Sequence, residues 1–321
     1  MILRKLGNSP LEVPPLALGT NVFSWTVDEP TAFKLLDAAV AHGLTFLDTA
    51  DVYSRWVPGN KGGESETIIG NWLRRSGKRK SVIVATKVGM EMGPGKKGLS
   101  KNYILRAAED SLRRLQTDYI DLYQSHEDDP DTPLAETLEA HSELIQQGKV
   151  RAIGASNYRP ERLAEALQVS RQHNLPRYET LQPMYNLYER AGYEEALEAV
   201  CAANGLGVIP YFSLAKGFLS GKYRSEKDLG KSQRGSGVKS FLNDRGFRIL
   251  HALDRVAKAQ NSSPARVALA WLMARPSITA PIASATSLEQ LHDLFEATQL
   301  RLDRGSIELL DEASEWQEQA A

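Results

Sequence analysis

Four residues able to exchange a proton each close, or closely follow, a short apolar run. In Phe46-Leu47-Asp48-Thr49-Ala50-Asp51-Val52-Tyr53 a carboxylate ends the run and a phenol follows it. Lys87 ends Val82-Ile83-Val84-Ala85-Thr86-Lys87, and His126 ends Tyr119-Ile120-Asp121-Leu122-Tyr123-Gln124-Ser125-His126. A free phenol has a pKa of about 10, too high for easy exchange near neutrality. An ammonium beside it favours phenolate, so Lys87 is expected to lower the pKa of Tyr53, while Asp48 keeps Lys87 charged and oriented. His126, if neutral, can donate a hydrogen bond to a carbonyl oxygen. Such a set suits protonation of an oxygen as negative charge develops on it, a role worth roughly 10²–10⁴ in rate. None of the four supplies an electron pair for reduction, so an external hydride donor is implied.

Each residue alone has a structural explanation. A strand-ending Asp caps a helix, a loop Tyr packs, and a strand-ending Lys lays its stem along the surface. His126 beside Glu127-Asp128-Asp129 can be an ordinary loop histidine. Together, on neighbouring strands, they point to chemistry. Asp51, between Asp48 and Tyr53, is expected at the surface.

The positioning elements read as alternating strands and helices. Ile2–Leu6 and Leu11–Val13 flank Gly7-Asn8-Ser9-Pro10 as an N-terminal hairpin. Strands are expected over Leu16–Gly19, Thr45–Asp48, Val82–Lys87, Ile120–Gln124, Ala152–Ala155, Thr180–Gln182, Gly207–Tyr211 and Thr279–Ala283. They are short and mostly apolar, as strands buried on both faces should be. Helical spacing of apolar residues marks Thr31–Ala41 and Tyr103–Leu115. Pro133–Gln147, Pro160–Arg171 and Pro264–Ala274 each open with a proline suited to a first helical turn. Tyr193–Ala203, a segment capped by Ser287 and running through Phe295, and Ser306–Gln317 complete the set. Eight such units in series favour a closed (β/α)₈ TIM barrel forming one domain over residues 1–321. A doubly wound open sheet is the alternative, but no Gly-x-Gly-x-x-Gly follows the first strand.

Two long segments lack periodicity. Gly89–Lys101 reads as a solvated loop or a functional one. Ser220–Ser240 carries Lys222, Arg224, Lys227, Lys231, Arg234 and Lys239 against only Glu226 and Asp228, and reads as a mobile basic flap over an anionic ligand.

Composition narrows the classes. With 42% apolar and 25% charged residues the chain can bury a large core. The balance of 39 basic and 40 acidic residues, net −1, gives no field that would favour nucleic acid or an anionic membrane. A lone cysteine, Cys201, excludes an internal disulfide and suits a reducing cytoplasm. No apolar run approaches the roughly 20 residues of a bilayer crossing.

These residues together resemble the aldo-keto reductase superfamily over nearly the whole chain, its bacterial and channel-β-subunit branch in particular. Asp48, Tyr53, Lys87 within Ala-Thr-Lys-Val-Gly and His126 within Leu-Tyr-Gln-Ser-His match that family's catalytic tetrad. The resemblance implies a (β/α)₈ barrel that holds NADPH at its C-terminal strand ends and reduces carbonyls, with Tyr53 as general acid. Ser156, Asn157 and Gln182 would hold the nicotinamide carboxamide, and Tyr211 would stack on the ring. Gly19 and Thr20 would line the same groove. In Phe212–Tyr223, backbone groups near Ser213, Leu214 and Gly217 would cradle the pyrophosphate, while Lys222 and Arg234 would meet the 2′-phosphate. Ser284, Thr286 and Gln290 would meet the adenosine. Thr286 stands where many members have arginine, and Leu294 where they have asparagine. NADP is therefore the expected cofactor and NAD the open alternative.

Phe23, Trp25, Trp56 and His126 are expected to line the substrate mouth, favouring an apolar or ring-bearing carbonyl compound. Two other readings stay open. One is a cofactor-binding regulatory module like the potassium-channel β subunits. The other is a metallohydrolase using Asp48, Asp51 and His126, against which no second histidine stands at metal-ligand spacing. The oligomeric state is not legible in the sequence.

Overall fold

The computed structural model describes residues 1–316. Its centre is an eight-stranded parallel sheet formed by β3 (Ala17–Gly19), β4 (Phe46–Asp48), β5 (Ile83–Val88), β6 (Ile120–Ser125), β7 (Val150–Ser156), β8 (Thr180–Gln182), β9 (Gly207–Val208) and β10 (Ile282–Ala283). Each strand pairs with its successor from β3 to β9, and β10 returns to pair with β3. The last seam is closed by backbone bonds: Thr279 N donates to Val208 O at 2.8 Å and Ile282 N to Pro210 O at 2.8 Å. The sheet thus curls into the expected barrel.

An antiparallel hairpin, β1 (Arg4–Lys5) with β2 (Glu12–Val13), covers its N-terminal end. Leu6, Leu11 and Val13 pack there against the barrel's interior residues Ala17, Phe46, Ala85, Leu122, Ala152, Ile209 and Ala280. The hairpin turn presses so close that a Cβ on Gly7 would lie 2.1 Å from Glu179 O, and Gly7 has φ +61°. Only glycine fits both constraints.

The surrounding helices are α1 (Glu29–Ala41), α2 (Glu64–Ser76), α3 (Lys101–Leu115), α4 (Leu134–Gln146), α5 (Pro160–His173), α6 (Ala191–Glu194), α7 (Leu197–Asn204), α8 (Asp244–Ala259), α9 (Pro264–Ala274), α10 (Leu288–Gln299) and α11 (Arg304–Ala313). Their starts follow side-chain chemistry. Asp28, Ser263, Ser287 and Asp303 each accept a backbone N–H of the first turn of the helix they precede, satisfying donors a helix start leaves free. Between these helices and the strands lies the larger apolar core, with Trp72 and Trp271 among its fully buried side chains.

Several boundaries differ from expectation. Two helices lie outside the segments that the sequence pattern marks: α2 follows Gly63, which offers no capping side chain, and α8 directly follows the basic loop. β9 stops at Val208 rather than Tyr211, and β10 begins at Ile282 rather than Thr279, because Pro210 and Pro281 lack the N–H a ladder needs. Pro133 sits just before α4 in extended backbone rather than inside its first turn. The C-terminal helix starts earlier and ends at Ala313, and its expected end, Gln317, lies outside the described residues.

Candidate active site

The parallel strands carry Asp48, Lys87 and His126 to one end of the barrel. Asp48 is the last residue of β4, Lys87 the penultimate residue of β5, and His126 follows β6. Register pairs Asp48 with Ala85 and Lys87 with Gln124, so the three side chains rise from adjacent strands. Tyr53 enters from the loop after β4.

These four groups meet. Lys87 Nζ donates to Asp48 Oδ2 at 2.9 Å, to Thr49 O at 2.8 Å and to the Tyr53 hydroxyl at 2.9 Å. All three ammonium protons are thereby used. The Tyr53 hydroxyl stands 3.4 Å from Asp48 Oδ2, and the Tyr53 and His126 rings meet edge-on at 6.0 Å. Asp48 is 2% exposed and Lys87 0%, so the pair sits where its electrostatics are barely screened.

The expected direction of the tyrosine's pKa is reversed. Loss of water around the phenol, reinforced by the Asp48 carboxylate, pushes Tyr53 well above the ordinary range for a phenol. Lys87 is pulled below its usual value by burial, with Asp48 opposing. His126 is held well below 6.5 by burial and by the Lys87 charge, so its imidazole is neutral, as expected. The site therefore presents a protonated phenol and a neutral imidazole.

A second hydrogen-bonded set adjoins the first. Gln182 Nε2 donates to Asp48 Oδ1 at 2.9 Å, and Ser156 Oγ donates to Gln182 O at 2.9 Å. Asn157, in the left-handed region at φ +57°, donates from Nδ2 to His126 O at 2.9 Å and accepts the Tyr211 hydroxyl at 2.8 Å. Thus Ser156, Asn157, Gln182 and Tyr211 are one connected group tied directly to the tetrad. The half-buried Tyr211 beside the exposed Asn157 amide fits a flat, polar ring with a carboxamide.

The remaining candidates spread along the same rim. A Cβ on Gly19 would lie 2.8 Å from Ser284 Oγ, and Ser284 itself donates to Asn21 Oδ1 at 2.8 Å. Thr20 is buried, its hydroxyl bonded to Asp48 O and to Ser65, and it braces the site. Ser213 is likewise buried against Ile282 O. Gly217 N–H is bonded to Leu214 O at 2.8 Å within a run of left-handed residues, Ala215 to Gly217. Lys222 is exposed, its Nζ 5.1 Å from the Tyr223 ring. Thr286 N and Oγ1 both donate to Gln290 Oε1, at 2.9 and 3.0 Å. Arg234 lies with its guanidinium carbon 5.0 Å from the Trp25 ring centre.

Two expectations need correction. Phe23 is 1% exposed and packs in the main core, so it does not line the mouth. Its loop turns inward there, held by the Ser54 hydroxyl bonding to Phe23 O at 2.6 Å. Trp25 and Trp56 do form an aromatic wall, edge-on at 5.8 Å, with Trp56 48% exposed and 5.9 Å from the Tyr53 ring. Asp51 is no surface residue: it is 2% exposed, and both carboxylate oxygens lack a hydrogen-bond partner. Burial and the nearby Glu66 push its pKa well above the carboxylate range. Glu66, also buried, accepts from the Thr86 hydroxyl at 2.5 Å and from Arg114 Nε at 2.6 Å. No signal in the sequence distinguishes this acid pair from solvated residues.

The aldo/keto reductase family model matches residues 15–315. The chain belongs to the aldo/keto reductase family. Among its relatives, the uncharacterized oxidoreductase YrpG of Bacillus subtilis is 37% identical over 316 residues, covering 96% of this chain and 94% of that protein. The L-glyceraldehyde 3-phosphate reductase of Escherichia coli is 31% identical over 308 residues, 92% of this chain and 87% of that protein. A probable voltage-gated potassium channel subunit beta of Oryza sativa is 32% identical over 305 residues, 92% and 91%. This aldo/keto reductase is therefore an oxidoreductase of a family acting on small molecules. Among the described residues no helix is long and apolar enough to cross a membrane, and no three His, Cys, Asp or Glu side chains gather to hold a metal.

Proposed function

We propose that the chain reduces aldehydes and ketones to alcohols with NADPH, reversibly, and that Tyr53 is the general acid. The observation that carries this reading is the Tyr53 hydroxyl, protonated and bonded to Lys87 at 2.9 Å, beside a neutral His126. When bound, a reduced nicotinamide supplies the hydride. Tyr53 then gives its proton to the oxygen on which charge develops, and the Lys87 ammonium stabilises the phenolate left behind. Asp48 keeps that ammonium in place, and neutral His126 donates to the same oxygen. Ser156, Asn157, Gln182 and Tyr211 are proposed to seat the nicotinamide.

NADPH is proposed over NADH on the cations of the loop after β9, Lys222 foremost. Comparing Michaelis constants for the two cofactors tests this, and a clearly lower value for NADH would overturn it. The lone, buried Cys201 suits a reducing cytoplasm as the working compartment.

The rice relative, a probable potassium channel subunit beta, supports a second reading in which cofactor is held chiefly to regulate a partner. Stopped-flow oxidation of bound NADPH by a panel of aldehydes separates the two. Fast oxidation by at least one aldehyde supports the reductase, and slow oxidation by all of them supports the regulatory module.

A further inference from the structure

Asn60 sits half-buried in the loop that carries Tyr53 and Trp56, and its side chain reaches back across that loop. Its Nδ2 donates to Ser54 O at 3.1 Å, to Ser24 O at 3.2 Å and to Ser24 Oγ at 3.3 Å. An amide nitrogen has two N–H donors, so one closes the Trp56 loop on itself and the other is shared by the two Ser24 oxygens. The backbone completes the closure. Val57 N donates to Ser54 O and Asn60 N to Val57 O, each at 3.0 Å. Trp56 is thereby held within a ring of bonds that runs from Ser54 to Asn60.

On the other side stands the turn after β3. Val22 O accepts the backbone N–H groups of Trp25, Thr26 and Val27, and Ser24 lies in the left-handed region at φ +60°. A serine seldom adopts that conformation without support. Here consecutive carbonyls of the turn are taken by side chains of the neighbouring loop, Phe23 O by Ser54 Oγ at 2.6 Å and Ser24 O by Asn60. The next residue is Trp25. Trp25 meets Trp56 at 5.8 Å with the ring planes 87° apart, Trp56 meets Tyr53 at 5.9 Å, and Tyr53 meets His126 at 6.0 Å. These rings form one continuous edge-on series, and Trp56 within it is 48% exposed. An exposed indole beside a proton donor offers apolar surface to a substrate ring.

The parts of this series are anchored differently. Tyr53 is fixed through Lys87, and the start of its loop through Ser54. The far part, which carries Trp56, is tied to the turn of Trp25 through Asn60. We propose that Asn60 is a positioning residue: it sets Trp25 and Trp56 as one rigid wall, and that wall favours ring-bearing carbonyl compounds over small aliphatic ones. The inference rests on the carbonyl-reductase reading and assigns the residue that controls recognition within it. Loss of the Asn60 amide frees the wall and leaves the Lys87–Tyr53 bond in place, so the cost falls on KM rather than on kcat.

The test compares wild type, Asn60→Ala and Asn60→Asp on benzaldehyde and propanal, with NADPH dissociation constants measured alongside by protein fluorescence. Wild type is expected to favour benzaldehyde in kcat/KM by about tenfold or more, from the larger apolar area and the ring contact. Asn60→Ala should raise KM for benzaldehyde about tenfold. Its kcat on benzaldehyde, its KM for propanal and its NADPH dissociation constant should each stay within about threefold of wild type. Asn60→Asp keeps the size of the side chain but turns an acceptor oxygen toward Ser24 and Ser54, so it should lose at least as much of the preference. A preference retained in that variant would show that shape rather than donation holds the wall, and would overturn the assignment. Equal KM rises on both aldehydes would make Asn60 a general support of the fold, and a fall in kcat with KM unmoved would make it a support of Tyr53. Either result, or a wild type without preference for benzaldehyde, sinks the inference and leaves the reductase reading standing. A wild-type protein that oxidises NADPH with neither aldehyde sinks the reductase reading itself, and this inference with it.

Discussion

Gln182 Nε2 donates to Asp48 Oδ1 at 2.9 Å, joining the end of β8 to the end of β4. The bond orients the carboxylate so that its other oxygen, Oδ2, meets Lys87. The proton donor is thus aligned from across the barrel, through a residue that also belongs to the proposed nicotinamide seat. Gln182→Ala leaves Asp48 Oδ1 buried without this partner. It should lower stability by about 1–3 kcal/mol and kcat about tenfold, since misplacing an aligned group is costly in rate. Chemical denaturation and single-turnover kinetics check both, and an unchanged kcat would separate Gln182 from catalysis.

The Asp48–Lys87 pair makes a sharper test. Lys87→Met strands a buried carboxylate, at a cost of about 3–5 kcal/mol. Adding Asp48→Asn removes that charge, so the double variant should recover most of the lost stability. It should not recover turnover, because Tyr53 still lacks its ammonium. Recovery of activity in the double variant would show that Lys87 serves the fold alone.

Asp51 links stability to pH with a definite sign. Its folded-state pKa is raised, so above the unfolded value of about 3.9 the folded protein holds a proton that the unfolded chain releases. Stability therefore falls as pH rises from about 4 toward the folded pKa. Asp51→Asn abolishes that loss, so the melting-temperature difference between variant and wild type should grow in the variant's favour from pH 5 to pH 9. A difference independent of pH would place Asp51 in contact with water.

The pH profile of reduction follows from His126 and Tyr53. His126 titrates well below 6.5 and Tyr53 well above 10. Hence kcat/KM should stay level from about pH 6 to pH 8, with no break near the ordinary histidine value. A break near 6.5 that vanishes in His126→Gln would show that the imidazole titrates freely.

Legibility in the sequence tracked how local each cause is. Asp48, Lys87 and His126 stood out because each closes or follows a strand whose apolar pattern is visible in a handful of residues. Ser287 as a helix cap was readable for the same reason. Asp51 was not, because its burial depends on Glu66 and Arg114, which reach it only through α2 and α3. Phe23 has the sequence signature of any loop aromatic, and the bond from the Ser54 hydroxyl that holds its backbone inward joins residues 31 positions apart. The upward shift of Tyr53 needed the depth of the site as well as the identity of its neighbours. The position of Arg234 needed the path of a long loop, which no periodicity records.

The most direct test of the account is Tyr53→Phe, with reduction followed in a single turnover and NADPH binding measured on the same protein. Removing the hydroxyl removes the proposed proton while keeping the ring beside Trp56 and His126. Reduction should slow by roughly 10²–10⁴, with the NADPH dissociation constant within about threefold of wild type, below the 1.4 kcal/mol of a tenfold change. A variant that reduces its carbonyl substrate at the wild-type rate would contradict Tyr53 as the general acid.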